Sequence, residues 1–290
     1  MQGTRRSVLA AGLVGTLEAG ATGRKKINEI SPYQLPNTSV LSFVSKINST
    51  AYSLYIHTPI GAEAGPLRVI FTLDADYSFA VCAKQLEHLA DRQQAERSIV
   101  VSIAYTGAYP DRRRYAMNRT RDYTPVHVAE GGYGSEFQAH SGGAPTFLRV
   151  IDEEIIPRIA ALHQTIPSAR TLVGHSYGGL FAAYVLDTRP ELFDQYLLVS
   201  PSLWYADNWI ISRARENVAN RLKGPTKIFL GVGALEQSGH DMIGALSEFA
   251  TVLQARGDPH LSTESRVFTD ETHASIFPIA FSCGIRYFYR

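Results

Sequence analysis

The chain has 290 residues with 28 Lys+Arg against 27 Asp+Glu, and 45% of it is hydrophobic. That length suits one large α/β core, and the balanced charge gives no reason to expect nucleic acid or an anionic membrane as partner. No run in the mature region is long enough to span a bilayer, and no repeat or low-complexity tract appears.

The N-terminus, Thr4-Arg5-Arg6-Ser7-Val8-Leu9, is a twin-arginine pattern. It leads into a short apolar stretch, Val8 to Leu17, and then Ala19-Gly20-Ala21, a small-residue cleavage site. This order reads as an export signal over 1–21, with the mature chain starting near Thr22 and working in the periplasm. In an oxidising compartment the two cysteines, Cys82 and Cys283, can pair or stay as buried thiols, and the sequence leaves that open.

Ser39–Lys46 and Tyr52–His57 read as an antiparallel hairpin. Leu67–Leu73 is an apolar strand ending in Asp74-Ala75-Asp76. Phe79–Asp91 has helical periodicity, and Ser98–Ala104 is a buried strand. Tyr105–Gly143 reads as a long irregular stretch rich in Gly, Tyr, Arg and Asp, which predicts the wall or lid of a site. Pro145 opens a helix with Phe147, Ile151, Ile155, Ile159 and Leu162 on its core stripe. Thr171–Val173 is a strand running into Gly174-His175-Ser176-Tyr177-Gly178-Gly179 and an apolar helix. Tyr196–Ser200 is a strand followed by Pro201-Ser202-Leu203-Trp204-Tyr205. Asn208–Leu222 is helical, Lys227–Val232 a strand, Ile243–Leu253 a helix ended by Gly257, Glu264–Phe268 the last strand, and Ser275–Tyr289 the last helix. A hairpin followed by alternating strands and helices predicts one domain over 22–290, with a mostly parallel sheet covered by helices on both faces.

Gly174-x-Ser176-x-Gly178 has strand before it and helix after it, which is the setting of a nucleophile elbow. Serine needs a base. In this architecture the partners follow in the order Ser, acid, His, and His273 alone lies just past the carboxyl end of the last strand. It is the predicted general base and acid. The carboxylate that steadies it is Glu236, the first after the preceding strand, with Asp241 and Asp270 as alternatives. The oxyanion donors are the Tyr177 N–H and an amide of the 74–76 loop, for which Ala75 is preferred. Arg112, Arg113, Arg114, Arg119 and Arg121, with Trp204 and Tyr205, form a cationic and aromatic rim suited to an anionic or aromatic substrate. No metal-ligand spacing, phosphate loop or dinucleotide motif is present, so no cofactor is expected.

Several pieces taken together resemble the putative-esterase family of α/β-hydrolases, specifically its periplasmic trilactone siderophore esterases. They are Leu73-Asp74-Ala75-Asp76, Arg121-Asp122-Tyr123-Thr124-Pro125, the Gly142 to Pro157 segment, Gly174 to Gly179, Ser200-Pro201-Ser202-Leu203-Trp204 and Glu271-Thr272-His273. Ala75 and Tyr205 stand where the family often has Gly and Trp. The resemblance implies an α/β-hydrolase fold, Ser176 as nucleophile, His273 as base, and Arg121 as the best-placed contact for catecholate oxygens. It implies hydrolysis of an enterobactin-like trilactone, any iron belonging to the substrate; a monomer is expected. Other readings within reach are a general carboxylesterase or thioesterase, an acyltransferase, and a non-catalytic binding protein on a hydrolase scaffold.

Overall fold

The computed structural model describes residues 30–217, 222–236 and 239–290. The export signal expected over 1–21 lies outside the described residues, as do 218–221 of the helix expected over Asn208–Leu222. The α/β unit runs from Leu35 to Arg290, and residues 30–34 belong with a separate N-terminal unit.

Among the described residues eight strands form one sheet. They are β1 (Thr38–Val44), β2 (Ala51–His57), β3 (Leu67–Thr72), β4 (Ser98–Tyr105), β5 (Thr165–His175), β6 (Gln195–Val199), β7 (Thr226–Gly233) and β8 (Leu261–Phe268). Their order is β1-β2-β4-β3-β5-β6-β7-β8. The β1–β2 and β2–β4 pairs are antiparallel, and all the others are parallel. This is the mostly parallel α/β-hydrolase sheet with an antiparallel start that the sequence predicts.

The central strands are near-continuous apolar runs because both faces are covered. Successive side chains go to opposite faces. Val69 and Phe71, Tyr196 and Leu198, and Ile228 and Leu230 enter one apolar cluster, whereas Ile70, Leu197, Val199 and Phe229 enter a second one. The second is closed by α1 (Ala75–Asp91) and α9 (Phe277–Tyr289). Cys82 on α1 and Cys283 on α9 both sit in it, buried and unbridged.

The other face carries α2 (Arg112–Tyr123), α3 (Ser135–Gln138), α4 (Ala144–Arg149), α5 (Ile156–Leu162), α6 (Tyr177–Thr188), α7 (Tyr205–Glu216) and α8 (Met242–Ala255). A π-helical stretch, Val150–Ile155, joins α4 to α5 just before Pro157, which has no N–H to continue the ladder. Phe147, Ile151, Ile155 and Ile159 of the expected stripe are buried, but Leu162, in the last turn, is 57% exposed. Within α7, Ala206, Asp207 and Asn208 have positive φ, so its regular part begins at Trp209, one residue after the start the sequence suggests.

The stretch from Tyr105 to Gly143 differs most from expectation, since it holds α2 and α3. Helix α2 (Arg-Arg-Arg-Tyr-Ala-Met-Asn-Arg-Thr-Arg-Asp-Tyr) has no apolar stripe to announce it. It buries Arg119 and Asp122 instead, each neutralised by a partner of opposite charge. Asp111 starts it by accepting from Arg114 N at 3.0 Å.

Candidate active site

Ser176 sits between β5 and α6 with φ 59 and ψ −121, a region that costs an L-residue energy and is held only by its surroundings. The crossing there is tight. A Cβ on Gly174 would lie 2.0 Å from the Gly178 carbonyl oxygen, and one on Gly179 would lie 2.8 Å from Pro201 Cα. Ser176 N–H donates to Val199 O at 3.0 Å and its carbonyl accepts from Ser202 N–H at 3.1 Å, which locks the turn to β6.

The ends of five parallel strands bring the other groups to this point. Beyond β8, His273 Nδ1 lies 2.8 Å from Glu236 Oε2, which follows β7. The Glu236 side chain has no exposure. Its Oε1 also accepts from the Gly233 N–H at 2.8 Å and from the Ser200 hydroxyl. Burial opposes its ionisation, but the hydrogen bonds from His273, Ser200 and Gly233 outweigh it, and its pKa is lowered. Of the three carboxylates left open by the sequence, Glu236 is the one that meets the histidine. Asp241 instead caps α8, accepting from Gly244 N at 2.7 Å, and Asp270 is exposed.

A cleft of about 270 Å³ is lined by Ser176, Tyr177, Ser202, Trp204, His240 and His273, with Gly132 and Tyr133 from the stretch before α3. That stretch therefore supplies a wall, as expected. Gly132 has φ +54 and approaches so closely that a Cβ there would meet Tyr177 Oη at 2.0 Å. Ser202 Oγ is 3.5 Å from Ser176 Oγ.

The oxyanion side has two helix starts. Tyr177 opens α6 and Ala75 opens α1, and first-turn amides have no intrahelical acceptor. Asp74, just before Ala75, adopts φ 57 and ψ 55. Its buried carboxylate accepts from Arg119 Nε at 2.8 Å, Arg119 Nη2 at 3.0 Å and Tyr115 Oη at 2.7 Å. Arg119 also donates to the His175 carbonyl at 3.4 Å and to Tyr133 Oη. One buried guanidinium thus ties the 74–76 loop, the elbow and the cleft wall together.

Two expected substrate contacts are corrected. Arg121 does not line the cleft, because it is held by Asp122, through Nε at 2.6 Å and Nη2 at 2.9 Å, and by Asn118 Oδ1 at 3.2 Å. Tyr205 is 1% exposed and donates to Val126 O at 3.1 Å, so it packs behind the cleft against Tyr177 and Trp204. Trp204 does line the cleft. The arginines expected to make a rim are also dispersed, with Arg113 paired to Glu136 and Arg119 buried.

Three residues escaped the sequence reading. His240 stacks on Trp204 with ring centroids 3.7 Å apart and planes 8° from parallel. Ser200, with φ 41, turns its hydroxyl onto Glu236. His175, on the elbow itself, packs its ring against His273 at 4.6 Å and meets Tyr77 Oη through Nδ1 at 3.0 Å. Burial, then the nearby His273 and Arg119, lower its pKa to about 3, so it stays neutral. The serine within Ser200-Pro201-Ser202 and the histidine within the elbow were visible signals, but only folding shows what they face.

Residues 45–263 match the family model described as Putative esterase. The ferri-bacillibactin esterase BesA of Bacillus subtilis is 29% identical over 280 residues, covering 92% of this chain and 94% of the relative. The apo-salmochelin esterase of Escherichia coli is 26% identical over 255 residues, covering 84% and 76%. The crystal structure of an IroE-like serine hydrolase from Shewanella oneidensis superimposes with a TM-score of 0.77 at 27% identity, covering 87% of this chain and 80% of that one.

Proposed function

This chain belongs to the putative-esterase family and is a carboxylic ester hydrolase, and from that premise we propose that it is a serine esterase opening the ester bonds of a catecholate siderophore trilactone. The observation that carries the reading is the His273–Glu236 hydrogen bond of 2.8 Å, in the cleft that also exposes Ser176 on its strained turn.

With the Nδ1 hydrogen donated to Glu236, His273 Nε2 keeps its lone pair for the Ser176 proton. Ser176 Oγ attacks the ester carbonyl as that proton passes to Nε2, and the carbonyl oxygen takes the negative charge. The amides of Tyr177 and Ala75 are the donors assigned to it. Collapse breaks the ester C–O bond, and the imidazolium returns its proton to the departing alkoxide. Water, deprotonated by His273, then releases the acid from the serine ester. Glu236, kept ionised, holds the tautomer and offsets the imidazolium charge.

Support for the substrate comes from the relatives, whose names describe esterases of bacillibactin and salmochelin. An aromatic shelf of Trp204 and His240 beside Ser176 suits an aryl arm. We further propose that the Arg5-Arg6 signal exports the chain to the periplasm, where such an ester would be met. Fractionation of cells producing the full-length chain, with and without Arg5→Lys and Arg6→Lys, tests that point. The substrate is tested by product analysis after incubation with iron-loaded and iron-free enterobactin. Linear dihydroxybenzoylserine products are expected. Hydrolysis of simple acyl esters or thioesters with an untouched trilactone would favour a general esterase of the same fold.

A further inference from the structure

A second cavity, of about 480 Å³, opens beside the Ser176 cleft and shares one wall with it, the side chain of Tyr133. Its other aromatic walls are Tyr77, Tyr109 and Tyr115. Three of these hydroxyls are committed elsewhere: Tyr77 to His175, Tyr115 to Asp74 and Tyr133 to Arg119. What the tyrosines offer the cavity is therefore chiefly ring surface. Asp76 lies in the same wall, and among the described residues its Oδ2 is buried with no hydrogen-bond partner. With no donor supplied by the described residues, the carboxylate is left to take one where it faces the cavity. Burial, reinforced by the Asp74 charge, raises the Asp76 pKa, as a donor-less site would.

The charges around the cavity restrict what can enter. Asp76 and Asp111 oppose a deprotonated catecholate or a carboxylate, and Arg112 opposes an ammonium group. A neutral aromatic ring bearing O–H groups conflicts with none of them. It stacks on tyrosine faces and donates a hydrogen bond to the Asp76 carboxylate where that group lines the cavity.

We propose that this cavity is a subsite for a neutral hydroxyaryl group, the metal-free arm of a multi-armed ester, held while a neighbouring ester bond meets Ser176. The proposal rests on the siderophore-esterase reading of the cleft and deepens it. A catechol that has given up its protons to a metal has no donor for Asp76, so the subsite favours the iron-free substrate.

The test is calorimetric titration with 2,3-dihydroxybenzamide, a free arm, and with 2,3-dimethoxybenzamide, which has the ring but no O–H donors. The wild type is to be compared with Ala116→Phe, which places a phenyl group in the cavity wall. A second variant, Tyr109→Ala, removes an aromatic wall residue that is 70% exposed and spares the fold, and melting temperatures check both variants. The dimethoxy compound is expected to bind about tenfold more weakly than the dihydroxy compound, and each variant to weaken the latter at least about fivefold. Equal affinity for the two compounds, wild-type affinity in Ala116→Phe and Tyr109→Ala, or no saturable binding below about 10 mM overturns the subsite. Iron-free enterobactin is assayed alongside. Arm binding without trilactone cleavage would discard the substrate reading and keep the cavity's chemistry. Cleavage without arm binding would do the reverse.

Discussion

Replacing Glu236 by Gln isolates the role assigned to its charge. The side chain is unexposed and takes three hydrogen bonds, from His273, Ser200 and the Gly233 N–H. In the variant the amide oxygen retains the Ser200 and Gly233 donors, so the fold is expected to survive. The amide nitrogen then faces His273 Nδ1 and imposes the tautomer with the hydrogen on Nε2, where it cannot accept the Ser176 proton. The charge is also lost. A carboxylate and an imidazolium roughly 4 Å apart attract by about 4 kcal/mol at an effective dielectric constant of about 20, which is worth about a thousandfold in rate. Together the two effects predict a fall in kcat of about 10³ to 10⁴, with KM changed by less than about threefold, because the interaction matters only once His273 is protonated. Steady-state kinetics on a chromogenic ester, with the melting temperature as control, gives the answer. A loss in kcat/KM below about tenfold would refute the assignment.

Arg119→Met strands the buried Asp74 carboxylate and is expected to cost about 3–5 kcal/mol, lowering Tm by about 10 °C, read by calorimetry. Gly174→Ala puts a methyl group 2.0 Å from the Gly178 carbonyl oxygen, so soluble yield and Tm are both expected to fall. Trp204→Ala removes the shelf stacked by His240 and is expected to raise KM for aryl-armed esters more than for an acetyl ester. His175 titrates near pH 3 when folded and near 6.5 otherwise, so the folded protein binds fewer protons between those values and stability falls as pH drops through that window. The lowered pKa of Glu236 acts with the same sign in the carboxylate range. In His175→Phe, denaturant unfolding at pH 7, 5 and 4 is expected to show a shallower acid loss than the wild type, and an unchanged slope would contradict the shift.

The strands, the elbow turn and the place of His273 beyond the last strand were legible because each rests on a local rule. Apolar β-branched runs mark the buried strands, small residues flank Ser176 because backbone passes backbone there, and chain order singles out His273. Helix α2 was illegible because Arg119 and Asp122 take two of its four buried positions, and an ion pair such as Arg119–Asp74 leaves no periodic apolar trace in the sequence. The same limit explains Arg121, which sits in the expected segment but spends its donors on its own neighbour, Asp122. Tyr205 follows Trp204 in sequence, yet the turn between β6 and α7 sends one side chain into the cleft and the other behind it. His175, at the end of β5, and Ser200 and His240, in two separate loops, are far apart in the chain, and nothing in their spacing announces what they touch.

The central claim is that Ser176 is the nucleophile of this hydrolase. Peptide mass mapping after treatment with diisopropyl fluorophosphate tests it most directly, with ester turnover followed in the same sample. The account predicts a phosphoryl adduct on Ser176, complete when activity reaches zero, and neither adduct nor turnover in Ser176→Ala. An adduct confined to another residue, or turnover persisting in Ser176→Ala, would contradict it.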